Sequence, residues 1–107
     1  MSEVREIKEA DFEGAVLGAS GLTLVDFWRE RCAPCVRLDR MLDGFAADFG
    51  GQIQVVKVDA EKNPAVAEKY DVKGAPTLLF FKDGEIVERM TGVERKATLR
   101  QAIEAHL

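Results

Sequence analysis

No run of about 18 apolar residues, the length a membrane-spanning helix needs, occurs in this 107-residue chain. A membrane protein is therefore not expected. A basic excess is missing too: 15 Lys and Arg stand against 19 Asp and Glu, a formal net charge of -4. Nucleic-acid and membrane-surface binders ordinarily carry a basic patch that meets phosphates, so the partners expected here are proteins. Repeats, low-complexity tracts and linkers are absent, and one domain spanning residues 1–107 is expected. A chain of this size hides roughly two-thirds of the surface it exposes when unfolded, so it needs no cross-link merely to fold. The opening Met1-Ser2-Glu3-Val4-Arg5-Glu6 has no apolar core of an export signal, which sets a cytoplasmic location as the expectation. Cysteine is scarce, with only two, and histidine scarcer, with one. In a reducing compartment two neighbouring cysteines point to catalysis or metal binding rather than to a standing cross-link.

What is present is ordered α/β punctuation. Val4 to Ile7 reads as a short edge strand, and Asp11 to Leu17 as a helix weakened by Gly14 and closed by Gly18 to Gly21. Leu22 to Trp28 is nearly continuous apolar sequence, the mark of a central strand covered on both faces, interrupted by one carboxylate, Asp26. From Pro34 the apolar positions Leu38, Met41, Leu42, Phe45 and Phe49 recur at helical spacing up to Gly50-Gly51. Ile53 to Val58 is a second buried strand, and Asn63-Pro64 opens a short helix with Ala65, Val66, Ala67 and Tyr70. Strands alternating with helices predict parallel pairing. Thr77 to Phe81 and Ile86 to Met90 flank Asp83-Gly84, a two-residue hairpin signal. A last helix, about Lys96 to His106, covers the sheet through Leu99, Ile103 and Leu107.

Both cysteines lie in Trp28-Arg29-Glu30-Arg31-Cys32-Ala33-Pro34-Cys35, a C-x-x-C pair at a strand-to-helix junction. Such a pair can cycle between dithiol and disulfide. Only a thiolate attacks a disulfide. Cys32 falls at or just before the helix's first turn, where free N–H groups and the helix dipole favour an anion. Cys32 is therefore assigned as nucleophile and Cys35, one turn inside, as resolving thiol. Two other readings compete. A structural disulfide closing so short a loop contributes only about 2 kcal/mol. A zinc site needs four ligands, which two cysteines and the single His106 cannot supply unless chains share the metal. Asp26, buried mid-strand below the cysteine turn, is a candidate proton carrier because burial raises a carboxyl's pKa; the plainer alternative is a turn cap. Lys57 in the next strand is a candidate partner for Asp26, or else a solvated strand-end charge.

Val25-Asp26-Phe27-Trp28, Cys32-x-Pro34-Cys35, Lys57-Val58-Asp59, Gly74-Ala75-Pro76-Thr77, Phe81-Lys82-Asp83-Gly84 and Gly92 occur in this order. Over nearly its whole length the chain resembles the thioredoxin family, as a C-A-P-C variant. The resemblance implies a thioredoxin fold, an α/β arrangement with a central five-stranded mixed sheet flanked by four helices. It implies Asp26 beneath Cys35 as a proton relay and a cis peptide before Pro76, with Pro76 against the cysteine pair. It also implies that Ala75 offers its main chain to an extended substrate segment and that Gly92 leaves the groove open. Catalytic residues on this reading are Cys32, Cys35, Asp26, Lys57 and Pro76. Trp28, Arg31, Ala33, Pro34, Ala75 and Gly92 form the docking surface.

The departures alter that surface. The family usually has Trp-Cys-Gly-Pro-Cys-Lys, whereas here Arg31 precedes the nucleophile, Ala33 separates the cysteines and Val36 follows them. Arg31 places a cation where a flat aromatic would be, favouring thiolate and acidic partners, or else is simply solvated. Ala33 bears on the redox potential through local backbone freedom. Arg40 stands where the family helix commonly has a kinking proline, so a straighter helix is expected. Ala75 replaces the Ile or Val often found before the proline. The function implied is a thiol–disulfide oxidoreductase, a protein-disulfide reductase acting as a monomer on disulfide-containing proteins. It needs no cofactor or metal within the chain and is re-reduced by a thioredoxin reductase. The alternatives are an interaction module whose groove is redox-sensitive and, with an export signal, an oxidant or isomerase.

Overall fold

The computed structural model describes residues 3–107. Its centre is β2 (Leu22–Trp28), flanked by β3 (Ile53–Asp59) in parallel and β4 (Thr77–Lys82) in antiparallel register. β1 (Val4–Glu6) adds in parallel to the free edge of β3, and β5 (Glu85–Thr91) in antiparallel to β4. The sheet order is therefore β1-β3-β2-β4-β5. This mixed sheet follows from the connections. The crossover from β2 to β3 passes through α1 (Ala33–Phe49) and gives a parallel pair. β4 and β5 are joined by Asp83 and Gly84 alone, at φ 51° and 84°, the two left-handed residues that a tight hairpin needs. A Cβ on Gly84 would also stand 2.5 Å from the carbonyl oxygen of Leu17.

Alternation along β2 sends its side chains to two separate cores. Leu22 and Leu24 face the layer of α1 and α3 (Lys96–Ala105), with Leu38, Leu42, Phe45, Leu99 and Ile103. Val25 and Phe27 face the opposite layer, built from residues 9–17 and α2 (Pro64–Lys69), with Phe12, Val16, Val66 and Phe81. Both faces of the sheet are thus covered, as the unbroken apolar character of β2 anticipates. α1 runs without interruption through Arg40, having no proline after its first turn.

Two expectations need correcting. The helix expected over Asp11 to Leu17 is a 3-10 turn, Glu9–Asp11, followed by a wide π-helical turn, Glu13–Leu17, closed by the Gly18 N–H on the Glu13 carbonyl at 2.9 Å. Phe12 and Val16 must both reach the core, and the Ala15 carbonyl is taken by the Gln54 side chain at 2.8 Å, so tertiary contacts override regular winding here. Leu107, expected on the buried stripe of α3, is 47% exposed because the helix stops at Ala105. No helix among the described residues is long and apolar enough to cross a membrane.

Candidate active site

The C-terminal end of β2 hands the chain to the start of α1 through Arg29, Glu30 and Arg31. Arg31 takes a left-handed φ of 56°, a conformation that costs a non-glycine residue on the order of 1 kcal/mol. The Arg29 guanidinium braces the turn, with Nη1 3.3 Å from the Glu30 carbonyl and 3.5 Å from that of Arg31. Arg31 itself projects into solvent.

Cys32 is the N-cap of α1, and Pro34 occupies the first turn, where its missing N–H costs nothing. The Cys35 N–H points at Cys32 Sγ over 3.2 Å. A sulfur in this position receives an unpaired helical N–H and the positive end of the helix dipole, both of which favour a thiolate once the pair is reduced. In the structure Cys32 and Cys35 form a disulfide with Cα atoms 5.2 Å apart. Cys32 is the more accessible, 7% exposed against 4% for Cys35. Sγ of Cys32 lies 3.9 Å from the Ala75 carbonyl, which brings the 74–76 segment against the cysteines. The Ala75–Pro76 peptide is cis. Pro76 is buried and Ala75 half-buried. The Pro76 carbonyl accepts from Gly92 N–H at 2.8 Å, and Gly92, at φ 81°, has open space where a Cβ would be.

Asp26 follows Leu22 and Leu24 on the sheet face covered by α1, the helix that carries Cys35. It is fully buried, and neither carboxylate oxygen has a hydrogen-bond partner among the described residues. Burial pushes its pKa up to about 7, opposed by Lys57 and reinforced by Asp39 and Glu6. A buried carboxyl near neutrality can give or take a proton at working pH.

Lys57 is opposite Asp26 in the β2–β3 register, yet its ammonium is engaged elsewhere. Nζ lies 3.1 Å from Asp39 Oδ1 and 4.9 Å from the centre of the Trp28 ring. The partnership expected between Lys57 and Asp26 thus takes the form of a nearby charge, with no direct ion pair. Trp28, half-buried at the end of β2, is pinned by its Nε1–H to Glu6 Oε2 at 3.1 Å. Sequence reasoning missed Asp39 and Glu6; Val36, noted there as a departure that alters the surface, is 51% accessible one residue after Cys35. Asp39 left one readable signal: it stands four residues after Cys35, on the same side of the helix.

An α/β sheet that carries a cysteine pair at a helix N-terminus, with a buried protonatable carboxyl on the face that helix covers, defines a thiol–disulfide oxidoreductase. Residues 3–105 match the thioredoxin family model. The thioredoxins of Staphylococcus aureus strains Mu50 and MW2 are each 39% identical over 102 residues, covering 95% of this chain and 96% of theirs. The chain belongs to the thioredoxin family.

Proposed function

We propose that the chain, as a single monomeric domain, reduces disulfides on protein partners by a Cys32–Cys35 cycle. Cys32 thiolate attacks one sulfur of the partner's disulfide, forming a mixed disulfide and expelling the other sulfur as a thiolate, which takes a proton from solvent. Asp26 carboxylate then accepts the Cys35 thiol proton, and the Cys35 thiolate attacks Cys32 Sγ. The partner's second sulfur leaves and is protonated, and the domain retains a disulfide. Two electrons and two protons have passed to the partner. They must be restored by a separate dithiol donor, a thioredoxin reductase, in a reducing cytoplasmic setting. Pro76 and Ala75 shape the approach to the cysteines, with Ala75 offering its main chain to an extended partner segment. Gly92, Trp28, Arg31, Ala33 and Pro34 complete the docking surface, and Lys57 tunes Asp26.

The observation that supports this most strongly is the redox pair at the N-cap of α1, a helix covering the sheet face that holds a carboxyl with no hydrogen-bond partner among the described residues. The test is turnover of insulin disulfides with NADPH and a thioredoxin reductase, together with trapping of mixed disulfides by Cys35→Ser. Catalytic reduction lost on Cys32→Ser supports the reading. Tight binding of one partner that survives Cys32→Ser, with no turnover, replaces it by an interaction module.

A further inference from the structure

We propose that Asp39 is a positioning residue for the resolving step: by holding the ammonium of Lys57, it leaves the Asp26 carboxyl without a counter-ion at bonding distance. The inference rests on the proton-relay reading of Asp26. Its basis is geometric. Asp26 and Lys57 are direct neighbours across the parallel β2–β3 pair, with side chains on the same face of the sheet. A lysine has a long flexible stem and could turn its ammonium to either carboxylate. In the structure it goes to Asp39 at 3.1 Å, with the Trp28 ring beneath it, and both oxygens of Asp26 remain without a hydrogen-bond partner among the described residues.

Four elements surround Asp26. Lys57 comes from β3, Asp39 from α1, and Glu6 from β1, while β4 presents the apolar Leu78. Glu6 is tied to Trp28, so the movable charge in the set is Lys57. An ammonium bonded directly to Asp26 would stabilise its carboxylate and weaken its grip on a proton. Asp39 prevents this, and it also adds a negative charge of its own. Asp26 then keeps a proton affinity close to neutrality, so it can take the Cys35 proton and release it in the next cycle.

The two effects of Asp39, diverting Lys57 and acting directly through its charge, are separated by a double-mutant cycle. The titration of the Asp26 carboxyl carbon is followed by NMR in the disulfide form of the whole chain, in wild type, Asp39→Asn, Asp39→Glu, Lys57→Met and Lys57→Met/Asp39→Asn. Asp39→Asn is expected to lower the Asp26 midpoint by about one pH unit, the scale of a newly formed opposite-charge contact. Asp39→Glu restores it, and in the Lys57→Met background the Asn substitution moves it by less than half as much. The proposal is overturned if Asp39→Asn leaves the midpoint in place, if Glu shifts it as far as Asn, or if the shift is equally large without Lys57. The titration uses no substrate, so its failure is distinct from failure of the insulin assay, which tests the reductase reading itself.

Discussion

Asp26 has consequences beyond proton transfer, because a buried carboxyl whose pKa rises on folding makes stability depend on pH. In the folded chain it is raised from an ordinary 3.8 to about 7. Between those values the folded state holds a proton that the unfolded state has lost, so stability falls as pH rises through this window and levels off above it. A tenfold change in proton affinity corresponds to about 1.4 kcal/mol, which puts the cost of ionised Asp26 on the order of 4 kcal/mol at pH 8. Asp26→Asn, which mimics the protonated group, is expected to raise the denaturant midpoint at pH 8 and to change it little near pH 4. Equal midpoints at pH 8 would show that the carboxylate finds stabilisation in the folded chain. Asp26 was legible in the sequence because a lone charge interrupts an apolar strand. Of its electrostatic surroundings only Lys57 was legible, because Asp39 and Glu6 come from two further elements that meet it only when the sheet closes.

At the scale of elements, α2 shows why local pattern goes only part of the way. Asn63-Pro64 announces the helix, yet Asn63 gives its first turn no side-chain cap. Its Nδ2 donates to the Asp59 carbonyl, and its Oδ1 accepts the Glu9 N–H at 2.9 Å. The cap comes instead from Glu9, whose Oε2 accepts the N–H groups of Ala65 and Val66 at 3.1 and 3.2 Å. A six-residue helix is too short to persist on its own, so α2 depends on this contact and on burial of Val66 and Ala67. Glu9→Ala is expected to cost about 1 kcal/mol, the ordinary value of a lost N-terminal cap. Hydrogen exchange should speed up first at Ala65 and Val66. Uniform destabilisation with no local change there would argue against the cap. The β4–β5 hairpin is the opposite case. Asp83-Gly84 encodes its own turn, and both residues adopt the left-handed conformation that dipeptide favours. Local chemistry was readable where a turn depends on its own residues, and unreadable where an acceptor arrives from 56 residues away.

At the scale of the whole molecule, stability and redox chemistry are carried by different parts of the chain. The sheet is sandwiched between two apolar cores, anchored by Phe45 and Phe80 on one face and by Phe27 and Phe81 on the other. Neither core requires the cysteine link. Cys32 and Cys35 are three positions apart, and closing so small a loop removes little entropy from the unfolded chain, about 2 kcal/mol in the chain-entropy treatment. A domain of this size ordinarily has about 5–15 kcal/mol of stability, so losing the link leaves it folded. Cys32→Ser/Cys35→Ser, compared with the disulfide form by urea unfolding, is expected to keep a cooperative transition and to lose about 2 kcal/mol. The comparison belongs at about pH 5.5, below the Asp26 pKa of about 7, where that carboxyl is protonated and its charge does not weigh on the result. A variant that is unfolded without urea at that pH would mean that the two cores need the cross-link. A reductase must hold its shape in both oxidation states, and a cysteine pair at the tip of one helix, outside both cores, permits this.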